Sequence, residues 1–161
     1  MTYFRIILFW LLIVPALSSC QSPPSNSVDT AQEYIGLSER RDRKEIKELV
    51  GVDPVRTEWC AAFVNAILNM DGIPGSESVS ENPLMARSFL DWGSPINPQD
   101  IQPGDVVVFP RGNQGWQGHV GFYVGRTQEG YWLILGGNQS NQVRYDLYRP
   151  SKAIGIRRYP G

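Results

Sequence analysis

The chain has 161 residues, of which 42% are hydrophobic and 19% are charged, and its formal net charge at pH 7 is −1. That length and composition favour one globular domain with a substantial core, and the near-zero charge gives no electrostatic reason to expect nucleic acid as a partner. Two cysteines and one histidine are too few for a disulfide framework or a closed zinc site, so no metal or other cofactor is expected.

The first 20 residues have the pattern of a targeting segment. Arg5 precedes an apolar run over residues 6–17, which is too short to cross a bilayer comfortably because a spanning helix needs about 20 residues. The run is followed by Ser-Ser-Cys, ending at Cys20, and so resembles the signal of bacterial lipoproteins, in which cleavage precedes a cysteine that is then lipidated. The alternative is an ordinary secretory signal with an unrelated cysteine.

By that resemblance, residues 1–19 are removed and Cys20 carries a lipid anchor. Gln21, rather than Asp, after the cysteine favours the outer membrane, facing the periplasm. Residues 20–27 are mostly polar and rich in Pro and Ser, which predicts a flexible tether. The folded domain is then expected over residues 28–161, as a monomer attached to the membrane through its lipid.

The first part of the domain has the apolar spacing of helices. A short helix is expected over residues 28–37, and a second over residues 39–50, where Ser38 offers an N-cap and Gly51 a C-cap. Basic and acidic side chains alternate along the second segment. They therefore indicate a solvated helix face rather than a surface for nucleic acid.

The clearest helix pattern covers residues 57–70, and a shorter helix is expected over residues 84–92. With Thr57 as the N-cap, Cys60 falls at the third helical position, where free backbone N–H groups and the helix dipole favour a thiolate. A thiolate is the nucleophilic form of cysteine, so this position suits catalysis. The alternative is that Cys60 is a small core residue, as a lone cysteine in an apolar helix usually is.

The rest of the chain consists of β-rich segments separated by Gly, Asn and Pro. Helices followed by strands predict an α+β fold, in which N-terminal helices pack on a mainly antiparallel sheet of about five strands. The expected strands cover residues 105–109, 119–124, 131–135, 142–148 and 153–159.

His119 is the only histidine in the chain, and it begins the second of these strands. Strand alternation places His119, Gly121 and Tyr123 on one face, and Gly121 would let a helix terminus approach. An antiparallel pairing with the next strand would return the segment Gly-Gly-Asn-Gln to the neighbourhood of the histidine. Asn138 is the preferred residue to orient the imidazole, Gln139 is the alternative, and a simple turn is the other interpretation of the segment.

Four motifs follow one another along the chain: Trp-Cys-Ala-Ala-Phe-Val, Pro-Gly-Asp-Val-Val-Val-Phe, Gly-His-Val-Gly-Phe-Tyr-Val-Gly and Gly-Gly-Asn-Gln. Over residues 28–159 this order resembles the NlpC-like and CHAP cysteine peptidases and amidases. The resemblance implies a papain-like fold that cuts amide bonds in peptidoglycan peptide stems through a thioester. It implies Cys60 as the nucleophile, His119 as the base and Asn138 as the polar residue that orients the base.

The same residues are compatible with other functions. The enzymatic alternatives are an N-acetylmuramoyl-L-alanine amidase, an antibacterial toxin that degrades a competitor's wall, and another acyl transfer such as deamidation. The alternative from a different class is a catalytically idle lipoprotein that binds the wall with the same fold. Glu58 is expected to face solvent, because a carboxylate turned toward the thiol would oppose its ionisation, and Trp59 and Trp116 belong either to the cleft or to the core.

Overall fold

A computed structural model describes residues 27–160 of the chain. Within that range the α-helices are α1 (Ser27–Gln32), α2 (Arg43–Val50) and α3 (Cys60–Met70). The expected lipoprotein signal, its Cys20 and the tether up to residue 26 lie outside the described residues. Among residues 27–160, no helix is long and apolar enough to cross a membrane.

Six strands follow the helices and form one sheet in the order β1-β6-β2-β3-β4-β5. Every pairing in the sheet is antiparallel. The strands are β1 (Ser94–Pro95), β2 (Val106–Pro110), β3 (Gly118–Arg126), β4 (Trp132–Gln139), β5 (Gln142–Tyr148) and β6 (Gly155–Arg158). The predicted α+β class with an antiparallel sheet is confirmed, and the sheet has one strand more than expected, because a two-residue β1 is too short to show alternation in the sequence.

The sheet is apolar on both faces. Val108, Val120 and Phe122 point to the side on which the helices pack. Val107, Phe109 and Tyr123 belong to a second cluster, which Trp132 and Ile134 complete. This double burial explains why β2 is buried at every position except its last, Pro110.

The helices are shorter than the sequence pattern predicts. The first ends at Gln32, and the second begins at Arg43 with Asp42 at its N-cap, while Gly51 ends it in the left-handed conformation as expected. The segment predicted as a helix over residues 84–92 forms a 3-10 helix over Ala86–Leu90. Two further short 3-10 helices cover Ser76–Ser78 and Pro150–Lys152.

The start of α3 differs from the prediction in a way that matters for the site. Trp59, not Thr57, occupies the N-cap position, so Cys60 is the first helical residue rather than the third. Trp59 is fully buried. Its ring lies so close to Gly137 of β4 that a Cβ there would be 2.5 Å from the ring atom Cζ3. Packing of the indole therefore outweighs the capping preference of Thr57.

Candidate active site

Cys60 lies at the N-terminus of α3 and is only 2% exposed. It is nevertheless open to a cleft of about 290 Å³, whose wall it shares with apolar and charged side chains. The remaining lining residues are Glu58, Leu84, Met85, Ala86, Arg111, Trp116, Gln117 and Gly118. The Cys60 thiol is therefore packed like a core residue and also borders the cleft. The two interpretations of the sequence, a thiol placed for catalysis and a small core residue, each describe part of its surroundings.

The His119 side chain is buried against the aromatic rings of Tyr148 and Phe109. His119 pairs with Phe109 across β2 and β3, and both side chains leave the same face. The imidazole, which is 1% exposed, stacks on Tyr148 with ring centroids 5.8 Å apart and planes 12° apart. Tyr148 stacks in turn on Phe109 at 4.2 Å, so aromatic packing fixes the plane of the imidazole.

One hydrogen bond fixes the tautomer of His119. Its Nε2 lies 3.0 Å from Oε1 of Gln139. The amide nitrogen of Gln139 donates to the carbonyls of Ile134, at 3.1 Å, and Arg144, at 2.5 Å, so the amide oxygen is the atom that faces the ring. An amide oxygen only accepts, so Nε2 carries the hydrogen and Nδ1 keeps its lone pair. The hydroxyl of Tyr148 donates to the same oxygen at 3.1 Å.

The Nδ1 atom of His119 is buried and has no hydrogen-bond partner within residues 27–160. The Cys60 sulfur receives a backbone hydrogen bond from Val120, the residue that follows His119. The structure therefore brings the thiol to the start of β3, but no hydrogen bond joins the two side chains in the described part of the chain. Catalytic hydrogen bonds are often long or unmade in the absence of substrate.

Asn138 does not orient the imidazole, and Gln139 takes that position. Alternation from Ile134 along a regular β4 would place Asn138 on the face of His119. However, the register of β4 with β5 shifts between Gly136 and Gln139, and Asn138 has a φ of 57°. This bulge moves the next side chain, Gln139, onto the histidine face. Asn138 instead donates its amide N–H to Oε2 of Glu58 at 2.6 Å.

The sequence predicts that Gly121 lets the start of the helix approach the sheet, but in the structure Gly137 has that position. A Cβ on Gly121 would lie 2.7 Å from Cγ2 of Ile134, so Gly121 accommodates the neighbouring strand β4. A Cβ on Gly137 would lie 2.5 Å from the Trp59 ring and 2.7 Å from Cβ of Phe63. Gly137 is therefore the position at which the sheet lets the start of α3 approach. It belongs to Gly-Gly-Asn-Gln, which is part of β4 rather than a turn.

Burial keeps both reactive groups uncharged in the free protein. It raises the pKa of the Cys60 thiol, and the Arg111 guanidinium and the Val120 N–H oppose that rise. Burial and the nearby Arg111 lower the pKa of His119 to about 3, against the hydrogen bond of Gln139. At neutral pH the Cys60 thiol and the His119 imidazole are therefore both uncharged.

Arg111 is the site residue that the sequence reasoning missed. It directly follows β2, whose last residue Pro110 pairs with Gly118, so it lies at the histidine end of β3. Its side chain is 36% exposed, borders the cleft of Cys60 and reaches Oε2 of Glu58 at 3.3 Å. The signal available in the sequence was an arginine at the end of a strand that should pair with the histidine strand.

Of the other residues that the sequence analysis considered for the cleft, Glu58 and Trp116 lie at its edge and Trp59 lies in the core. Glu58 faces solvent as predicted, with 79% of its side chain exposed. Trp116 is 61% exposed and lines the cleft, whereas Trp59 is fully buried. Across residues 27–160, no group of three or more His, Cys, Asp or Glu side chains is placed to hold a metal ion.

Comparisons with known proteins agree with this fold. The family model described as the CHAP domain matches residues 52–138, which include Cys60 and His119. The fold is similar to the crystal structure of an NlpC/P60 family protein from Bacillus cereus ATCC 10987, with a TM-score of 0.54 and 16% sequence identity over 86% of this chain. The chain spans only 40% of the length of that protein. No curated protein matches the sequence.

Proposed function

We propose that this chain, which belongs to the CHAP domain family, is a papain-like cysteine hydrolase that cuts amide bonds in peptidoglycan peptide stems. One arrangement carries the proposal. A thiol at a helix N-terminus opens to a cleft and touches the first residues of the strand that holds His119. The imidazole there has its Nε2 bound by Gln139 and its Nδ1 free to accept a proton.

The proposed mechanism uses His119 as a general base and then as a general acid. Nδ1 takes the thiol proton while the Cys60 sulfur attacks the carbonyl carbon of the scissile amide. The same nitrogen then gives the proton to the leaving amine as the carbon–nitrogen bond breaks, which leaves a thioester on Cys60. A water molecule, deprotonated by Nδ1, attacks the thioester carbonyl, and the proton returns to the departing sulfur.

The start of α3 also suits stabilisation of the developing oxyanion. Cys60 is the first helical residue, so its backbone N–H is among the groups that have no acceptor within the helix. A donor at the nucleophile's own amide, at the positive end of the helix dipole, is the usual arrangement for binding a tetrahedral intermediate.

We further propose that the enzyme is a lipoprotein of the outer membrane, facing the periplasm. The support is the lipoprotein-like signal over residues 1–19, with Cys20 as the lipidated residue and Gln21 after it. Labelling of the chain with a radioactive fatty acid, and loss of the label in Cys20→Ser, tests the anchor. Fractionation of the two membranes tests the location.

Digestion of purified peptidoglycan tests the hydrolase. The wild-type chain should release peptide fragments whose masses, measured by mass spectrometry, identify a bond cut within the stem. Cys60→Ala should release none. Intact stems separated from glycan would instead identify the N-acetylmuramoyl-L-alanine amidase alternative.

An idle wall-binding protein is the second candidate, and two observations favour it. No hydrogen bond joins Cys60 to His119 in the described residues, and burial raises the pKa of the thiol. A wild-type chain that sediments with peptidoglycan and leaves it uncut, together with an unchanged phenotype of Cys60→Ala, would establish this candidate and reject the hydrolase.

A further inference from the structure

Two donors from different parts of the fold converge on one carboxylate oxygen at the edge of the Cys60 cleft. Oε2 of Glu58 lies 3.3 Å from Nη1 of Arg111 and 2.6 Å from Nδ2 of Asn138. Arg111 follows β2 and Asn138 lies in the bulge of β4, so two strands supply the donors. A guanidinium beside an amide N–H is a typical pair of donors for a carboxylate.

The donors are held in place, whereas the carboxylate is not. Nη2 of Arg111 donates to the backbone carbonyl of Asn138 at 3.0 Å, which ties the two donors to each other. Asn138 is 7% exposed. Glu58 has 79% of its side chain exposed and lies before the first turn of α3. An exposed ion pair of this kind contributes little to stability, so the carboxylate can leave at little cost.

Glu58 also lies where two cavities meet. It borders the cleft of about 290 Å³ that contains Cys60, and a second cavity of about 230 Å³ that Asn138 also borders. Other residues of the second cavity are Glu39, Pro54, Val55, Arg56, Thr57 and Asn141. A peptide that passes Cys60 and continues into the second cavity must cross the position of the Glu58 carboxylate.

We propose that Arg111 and Asn138 form a carboxylate-binding subsite, which Glu58 fills in the free protein and a carboxylate of the substrate fills during turnover. The substrate class is a peptide with a free carboxylate on the residue next to the scissile amide. This inference rests on the proposed hydrolase for its substrate and adds a specificity-determining role for Arg111. The exchange replaces one carboxylate by another on the same two donors, and the Glu58 side chain turns into solvent.

The test compares two synthetic stem peptides that differ only in that group, one with the free carboxylate and one with its primary amide. For the full wild-type chain, kcat/KM should favour the free acid by about tenfold or more, because a charge-assisted bond is replaced by a neutral one. Arg111→Met should bring the ratio of the two kcat/KM values close to one. The ratio removes any effect of Arg111 on the thiol itself, since such an effect is common to both peptides.

Glu58→Gln supplies a variant on an exposed side chain that leaves the fold intact. It weakens the internal competitor, so KM for the free acid should fall severalfold. Arg126→Met is the matched control, because Arg126 is an exposed arginine at the other end of β3. It should leave both peptides unaffected.

Binding measurements separate this inference from the proposed function. Calorimetry with Cys60→Ala should show the free acid binding more tightly than the amide, and Arg111→Met in the same background should abolish the difference. If neither peptide is cut but the binding difference is found, the hydrolase fails and the subsite stands. If the wild type binds or cuts both peptides equally, or if Arg111→Met preserves a preference for the free acid, the subsite is rejected.

Discussion

The His119 imidazole and the Gln139 amide are joined by a 3.0 Å contact between Nε2 and Oε1, and this contact determines which ring nitrogen can act as a base. Gln139 cannot turn its amide around without losing its bonds to two backbone carbonyls. The proton is therefore held on Nε2, and the lone pair lies on Nδ1, the atom without a partner in the described chain. In the proposed mechanism Gln139 is a positioning residue, because it acts on the reaction through the histidine.

Gln139→Ala is expected to lower kcat by about 10²-fold, because the imidazole then populates both tautomers and loses its orientation. Nitrogen NMR reports the tautomer of His119 directly, and a purely structural role of Gln139 would not change that tautomer. His119 is the only histidine, so its two ring nitrogens can be read without ambiguity. The wild type should show a protonated Nε2, and Gln139→Ala a mixture of tautomers. Asn138→Ala, the neighbouring control, should leave the tautomer unchanged, and a change there would contradict the assignment.

The buried histidine should make stability depend on pH in a defined direction. The pKa of His119 is lowered to about 3 in the folded chain, whereas an exposed histidine has a pKa of about 6.5. Between these values the unfolded chain binds a proton that the folded chain does not. The stability that the neutral His119 provides is present above pH ~6.5 and falls by up to about 1.4 kcal/mol per pH unit as the pH drops toward 3.

Urea unfolding of the wild type and of His119→Gln, measured at intervals from pH 7 to pH 4, tests this dependence. The difference between the two free energies of unfolding should change with pH, and the wild type should lose more stability on acidification. Parallel curves for the two proteins would show that His119 is not held neutral by the fold.

The class of fold, a helix near Cys60 and the strand that carries His119 could be predicted from the sequence because each depends on a local pattern. The apolar spacing after residue 57 predicts a helix near Cys60, and β-rich segments separated by turn residues predict an antiparallel sheet. Cys60 is the only cysteine after Cys20, and His119 is the only histidine in the chain, so the pair is easy to single out.

The details that depend on tertiary packing could not be predicted. The bulge at Asn138 exchanges its role with that of Gln139, and nothing in Gly-Gly-Asn-Gln distinguishes a bulge from a regular strand or a turn. Burial of Trp59 against Gly137 moves the start of α3 by two residues from the position that Thr57 indicates. Arg111 was missed because its neighbours Glu58 and Asn138 are distant in the sequence.

The raised pKa of the Cys60 thiol predicts slow reaction with small alkylating agents at neutral pH. In a Cys20→Ser chain, where Cys60 is the only thiol, the rate with iodoacetamide should rise with pH and have its midpoint above the ordinary thiol pKa of about 8.5. Arg111→Met should move the midpoint higher, because the guanidinium stabilises the thiolate. A midpoint below that of a free cysteine would mean that the thiolate already exists in the free protein.

Gly137 should be the glycine at which an added methyl group harms both folding and the site. In Gly137→Ala the Cβ would meet the ring of Trp59 at 2.5 Å and Cβ of Phe63 at 2.7 Å, so the start of α3 must move away from β4. Overpacking of this kind costs about 1–3 kcal/mol in the free energy of unfolding. The displaced helix also carries Cys60 away from β3, so kcat should fall under conditions in which the variant is fully folded.

Gly125→Ala is the matched control, because Gly125 lies in β3 with open space where its Cβ would be. Its free energy of unfolding should stay within about 0.5 kcal/mol of the wild type, since an alanine that fits also restricts the unfolded chain. Chemical unfolding of both variants, with turnover measured in parallel, separates the two effects. Equal stability and equal turnover of Gly137→Ala and Gly125→Ala would show that α3 does not rest on the sheet at Gly137, and the position of the nucleophile would then need another explanation.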